Sequence, residues 1–573
     1  MPIQLPTLAR RLALASLLGV ALGATLGAAA IPARAEGVSG AYLAAMQADF
    51  RNDYTEAAAY YDEALALDPT NLRLLTNATV ARVAMGDFKV AGGLADRLEA
   101  ADPNNQVATL VRLGDRIAAD DFDAAEAILT AAGETVNPLL GGLLAGWIEV
   151  GREDFPAAQA KFDALQGNEA LLAYGQYHKA LALALAGDFV SAEALMAGGD
   201  KGPLHLNRSA VVAHAQILAQ LGREKDAAAM IDAAMSEGQP DAPLLDLRNR
   251  LADGEEVPFD QVTSARDGAA EVFLTLADAL NAPDTQRVAL VHSRLAQEIR
   301  PDLVEAHLLS AQVLEDEDQF ALATEALASV PETSPWYVTT QIRRAATQRA
   351  AGDPDAGIAT LEALAKGHGD MIEVESALGD ALRAEEKFAE AAEAYTRAIV
   401  LAGKPRPAHW VLFYTRGISY ERAGDWPKAE ADFREALRLE PDQPLVLNYL
   451  GYSLVEKHES LDEALGMIEK AAKDQPNDGY ITDSLGWVLY RLGRYQDAVA
   501  PMLRAVELTP DDAVINDHLG DVLWKVGRKR EAEFQWRRAL SFGPADDLDM
   551  DRIRKKLAEG LDKVLAAEPA RDG

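Results

Sequence analysis

The sequence contains no cysteine. Disulfides, thiolate metal sites and a lipid-modified N-terminal cysteine are therefore excluded. Its nine histidines stand singly, with no His-Glu-x-x-His helix and no paired metal spacing. No glycine-rich loop leads into Lys-Ser or Lys-Thr, since Gly403-Lys404 is followed by Pro405. Gly417-Ile418-Ser419 and Gly451-Tyr452-Ser453 begin like a nucleophile elbow but lack its closing glycine and any strand context. Basic residues are also scarce, 55 against 90 acidic ones in 573 residues. A field of that sign repels nucleic acid and anionic lipid surfaces. The expectation is a chain without catalysis, metal or other cofactor, working through protein partners.

What the sequence does have is a period. Gly486 and Gly520 are 34 residues apart, as are Ala498 and Ala532, Ala505 and Ala539, and Pro510 and Pro544. The unit before them places Gly417, Tyr420, Ala429, Phe433, Ala436 and Pro441 on the same mask. A glycine inside a helix costs roughly 1 kcal/mol against alanine, which close approach of a second helix can offset. The alanines keep that second helix slim, and the terminal proline stops it for want of an N–H. Gly424-Asp425-Trp426 and Gly493-Arg494-Tyr495 mark the turn between the helices, with glycine as left-handed C-cap. This pattern resembles the tetratricopeptide repeat (TPR), a helix–turn–helix unit. The resemblance implies an all-α chain, an α-solenoid wound as a right-handed superhelix.

Followed backwards, the mask starts units near Ala513, Gly479, Leu445, Trp410, Ile372, Val338, Val304 and Ala270. The first half is more degenerate, with units near Val38, Leu72, Gln106, Leu139, Ala173 and Arg208. It keeps a turn with an aromatic in Asp53-Tyr54, Asp87-Phe88, Asp121-Phe122, Asp154-Phe155 and Asp188-Phe189. About fourteen TPR-like helix pairs are expected in all. They form an N-terminal array over 38–241 and a C-terminal array over 270–546. Residues 242–269, helical at first and then rich in charge, Gly and Pro, read as an irregular linker or hinge. Residues 547–573 supply a capping helix and tail, which a solenoid needs over its last apolar face.

At the start, Arg10 and Arg11 precede an uncharged run from Leu12 to Ile31 and the small-x-small triplet Ala33-Arg34-Ala35. Residues 1–35 are thus expected to be a secretory signal peptide and the protein periplasmic. An uncleaved anchor is the alternative, the run being long enough to span a bilayer. Cleavage before Glu36 removes three arginines and no acid, leaving 52 basic against 90 acidic residues, a net charge of −38.

By the TPR resemblance, the first helix of each pair lines a concave groove, and its outward positions meet a protein partner. Those positions here are Tyr414, Arg422, Asn448 and Tyr452, followed by Asp483, Trp487, Tyr490 and Arg491, then Asp517, Asp521, Trp524 and Lys525. Trp487 and Tyr490 suit burial between helices equally well, whereas Asp483 and Arg491 are expected in solvent. The runs Leu450–Leu454, Asp483–Arg491 and His518–Trp524 look like those of a bacterial envelope family. Its TPR members assist a carboxyl-terminal processing protease and present cell-wall hydrolases to it. The resemblance implies an exported adaptor between a periplasmic protease and envelope substrates. The other expectation is a structural scaffold of an envelope assembly or export machine, without proteolysis. Those relatives are lipoproteins, and the lack of cysteine here leaves no direct lipid anchor of that kind.

Overall fold

The structure, a computed structural model, describes residues 38–165, 169–198, 204, 207–236, 241–543 and 548–567. The expected signal segment 1–35, Pro544 and the tail beyond residue 567 lie outside the described residues. Among the described residues there are 31 α-helices and no strand. Fourteen helix pairs account for most of them, with helix Ala242–Asp253 between the sixth and seventh pairs and two short helices at the end.

The pairs form for two local reasons, a cap on the second helix and a glycine on the first. In the first half an aspartate precedes and caps the second helix of five of the six pairs. Asp53, Asp121, Asp154 and Asp188 accept from the backbone N–H three residues on, at 3.0–3.2 Å. Such a cap contributes about 1 kcal/mol. In the last two pairs Arg494 and Arg528 stand at that place without a side-chain cap. In capped and uncapped pairs alike, a glycine of the first helix lets the second approach closely. A Cβ on Gly417 would meet the Phe433 ring at 2.7 Å, on Gly486 Met502 Cγ at 2.5 Å, and on Gly520 Trp536 Nε1 at 2.3 Å.

The chain divides into two units, residues 1–109 and 110–573. In the first, helices Val38–Phe50, Tyr54–Leu67, Leu72–Met85 and Phe88–Ala101 bury Tyr54, Tyr61, Leu74 and Leu98. The Tyr61 hydroxyl accepts from Asn77 Nδ2 at 3.0 Å.

The second unit is organised around helix Ala265–Ala279, which packs against Pro138–Gly151, Glu169–Leu185 and Gln286–Ile299 and is buried nearly all round. Gly268 lets it approach, since a Cβ there would strike the Trp147 ring at 2.3 Å. Arg208, at the start of helix Arg208–Gln220, pairs with Glu305 at 2.9 Å and lies over the Trp336 ring at 4.4 Å. First helices beginning at Pro138 and Glu169 thus meet the one beginning at Ala265, and Arg208 reaches Glu305 and Trp336.

The stretch expected to be a linker or hinge is helical from Ala242 to Asp253, and the rest is pinned. Gln220 donates to the Val257 carbonyl at 2.7 Å, and Gln216 grips Asp260 and Gln261 at 2.6–3.1 Å. Arg300 holds the Gln261 carbonyl at 2.8 Å.

Candidate partner-binding face

From Ile372 on, the first helices lie side by side, and from Trp410 on an acidic side chain joins each to the next helix of the row. Glu421 accepts from the Tyr449 hydroxyl at 3.4 Å. Glu456 accepts from Trp487 Nε1 at 2.8 Å and Arg491 at 2.7 Å. Asp483 takes His518 Nδ1 at 2.9 Å, while Asp517 and Asp521 take the Lys556 ammonium at 2.7–2.9 Å. Each acid sits on the earlier helix and each donor on the later one. The same arrangement occurs where Glu315 accepts from Arg343 at 2.5–3.3 Å.

This ladder decides where the expected groove residues lie. Asp483, Trp487, Tyr490, Asp517 and Asp521 are buried. Trp487 stacks on Tyr490 at 4.8 Å and on His518 at 3.9 Å. These five join neighbouring repeats and do not reach solvent. For Asp483 this corrects the expectation of exposure: the next unit brings a histidine over it, which a single unit's pattern does not reveal. Arg491, also expected in solvent, is half-buried by its pairing with Glu456. Trp524 and Lys525 both donate to Asp562 of the terminal helix, at 2.9 and 2.7 Å. Tyr414, Asn448 and Tyr452 are half-buried and Arg422 is exposed, with its guanidinium 5.3 Å over the Phe388 ring.

The electrostatics match the ladder. Burial alone would keep His518 neutral, but Asp483, Asp517 and Asp521 outweigh it and raise its pKa. Burial pushes the Asp521 carboxyl up, with Asp517 adding to the rise while Lys556 and Arg552 oppose it.

Three residues not foreseen from the sequence are open on this face. Val411, Leu445 and Tyr480, each the second residue of its first helix, are 43, 50 and 60 % exposed. They share one register in consecutive repeats and so form an apolar row. The signal was available as an apolar residue recurring 34 and 35 positions on, but it follows the helix start and looks like part of the core. On the middle helix of the row, the covered Asn448 Oδ1 has no hydrogen-bond partner among the described residues. An unpaired amide oxygen of this kind costs free energy until a donor reaches it.

Among the described residues no group of three or more His, Asp or Glu is placed to hold a metal. No helix among them is long and apolar enough to cross a membrane.

Fold and face together define an all-α solenoid of tetratricopeptide repeats. Family models agree: tetratricopeptide repeat models match residues 51–113, 414–478 and 456–513, and a tetratricopeptide repeat-like domain matches 260–409. A TPR repeat-containing protein of Pseudomonas aeruginosa is 38 % identical over 104 residues, 18 % of each chain. The match thus spans under a fifth of that relative's length. Among solved structures, the APC/C hetero-tetramer Cut9–Hcn1 matches with 15 % identity and a TM-score of 0.36, over 92 % of this chain and 97 % of that one. A tetratricopeptide repeat protein of Parabacteroides merdae matches at 17 % identity and the same TM-score, over 44 % of this chain and 97 % of that one.

Proposed function

We propose that this chain is an exported protein-binding scaffold whose open first-helix face, from Ile372 to Arg491, receives a segment of a partner protein. The observation that carries it is the row Val411, Leu445 and Tyr480 beside the unpaired Asn448 oxygen. Apolar anchors beside a covered polar group are what an interface core uses. Export rests on the Arg10-Arg11, apolar run and Ala33-Arg34-Ala35 pattern. The finer reading is an adaptor that brings a carboxyl-terminal processing protease to envelope substrates. It is supported by the likeness of 410–544 to the TPR proteins that do so.

The test is affinity capture from the periplasmic fraction with wild type, Leu445→Asp and Tyr480→Asp. Both side chains project into solvent, so stability should move by less than about 0.5 kcal/mol. Capture of the partner should weaken by more than about 1 kcal/mol. Recovery of the protease supports the adaptor reading, and its absence among captured proteins removes it. Undiminished capture by both variants removes this face as the site.

A further inference from the structure

A second surface lies in the C-terminal array, before the Val411–Leu445–Tyr480 row. Helices Pro354–His368, Ile372–Ala384 and Phe388–Ala402 line an open, shallow cleft of about 430 Å³. Its floor is Leu378 and Leu382, both buried, and one wall is the Glu375–Arg397 ion pair at 2.9 Å. Glu362, Glu390 and Glu393 stand exposed on its rim. Only Lys366 and Arg397 among the lining residues are basic, so the cleft is acidic as well as apolar at its base.

The chain carries a matching surface elsewhere. On helix Lys529–Phe542, Phe534 is 58 % exposed, and Arg530 and Arg537 lie one turn to either side of it on the same exposed stripe. In a chain with 35 more acids than bases, this is a rare place where an aromatic side chain projects between cations. An exposed phenylalanine flanked by arginines is a hot-spot composition, and here it is opposite in charge to the cleft rim.

We propose that the cleft receives the Phe534 stripe of a second copy of this chain, with Phe534 over Leu378 and Leu382 and the two arginines against Glu390 and Glu393. Because cleft and stripe are different patches, the contact is head-to-tail. It builds a ring or a filament and not a two-fold dimer. It leaves the Val411–Leu445–Tyr480 row untouched, so a string of copies would display many equivalent partner sites.

The experiment is sedimentation velocity of the full mature chain across the micromolar range. Four proteins are compared: wild type, Glu390→Lys with Glu393→Lys, Arg530→Glu with Arg537→Glu, and Phe534→Ser. All five positions are exposed, and thermal melting checks that each variant folds. Wild type should associate with rising concentration, and each variant should associate at least about tenfold more weakly. Mixing the two charge-reversed variants in equal amounts should restore association, because each then meets an opposite-charged face on the other. A wild type that stays monomeric overturns the proposal. So do variants that associate like wild type, or a mixture that stays dissociated.

Discussion

Two regions of the second unit bury polar groups, and they do so in opposite ways. At the end of the chain the groups stay charged and paired. Lys556 is fully buried with its ammonium shared by Asp517 and Asp521, Trp536 Nε1 donates to Asp521 at 3.0 Å, and Arg552 stands 3.7 Å from it. In the middle, burial works against the charge of two groups. Glu271, on the central helix, accepts from the Tyr177 hydroxyl at 2.9 Å and from Gln261 at 3.4 Å. Burial pushes its pKa up to about 7, with Glu305 adding and Arg300 opposing. His178 accepts from Trp147 Nε1 at 3.0 Å, and burial lowers its pKa to about 3. The end buys its rigidity with ion pairs that must stay complete, whereas in the middle burial disfavours the charged forms of Glu271 and His178.

The largest effect should come from breaking the paired region. Lys556→Met leaves two aspartates buried without their cation, which should cost about 3–5 kcal/mol. Urea denaturation would show it, together with lost hydrogen-exchange protection over Met550–Ala567. Adding Asp517→Asn and Asp521→Asn should recover most of the loss, because the uncompensated charge is then gone. If the single variant is as stable as wild type, the ammonium is not what holds this end.

The middle region is broken by pH. Glu271 has a folded pKa raised above its unfolded value near 4.5, so its contribution is complete below pH 4.5 and lost as pH rises to about 7. His178, lowered from 6.5 to about 3, acts the other way and loses stability as pH falls through that window. From about pH 4.5 to 6.5 the two slopes cancel. Glu271→Gln removes one slope, so the variant should lose about 1.4 kcal/mol per pH unit on acidification below 6.5, relative to wild type. Unfolding at three pH values in that range checks this, and parallel curves would contradict it.

A smaller effect should follow from Gly268→Ala. Its methyl meets the Trp147 ring, fully buried in the middle region, and should cost about 1–3 kcal/mol by overpacking. The smallest is a gain in the first unit. A Cβ on Gly93, inside helix Phe88–Ala101, meets nothing within 4 Å. Gly93→Ala should therefore stabilise by about 0.5–1 kcal/mol. Thermal melts of the two variants should shift in opposite directions.

The same contrast explains what could be read from the sequence. Gly417, Gly486 and Gly520 were legible because each serves its own pair, where the residue that needs the space lies about 16 positions on. Fourteen pairs follow from that mask. Gly268 lies off the mask, and its reason is Trp147, over a hundred residues earlier. Tyr177 and Glu271, 94 residues apart, are likewise joined only by the packing of the central helix. The expected groove residues fall between these cases. Their helices and faces were legible, but Asp483 and Trp487 became joints because of His518 and Glu456 on neighbouring helices.

The direction of the first-helix ladder bears on how the chain comes into being. Synthesis runs from the amino end, so every acid of the ladder is made before the donor that neutralises it. Glu456 precedes Arg491 by 35 residues, Asp483 precedes His518 by 35, and Asp517 precedes Lys556 by 39. From Trp410 on, a growing array therefore ends in an unsatisfied carboxylate, waiting for the repeat not yet translated. Each new first helix closes the previous one and opens the next vacancy, until Lys556 meets two waiting aspartates at once.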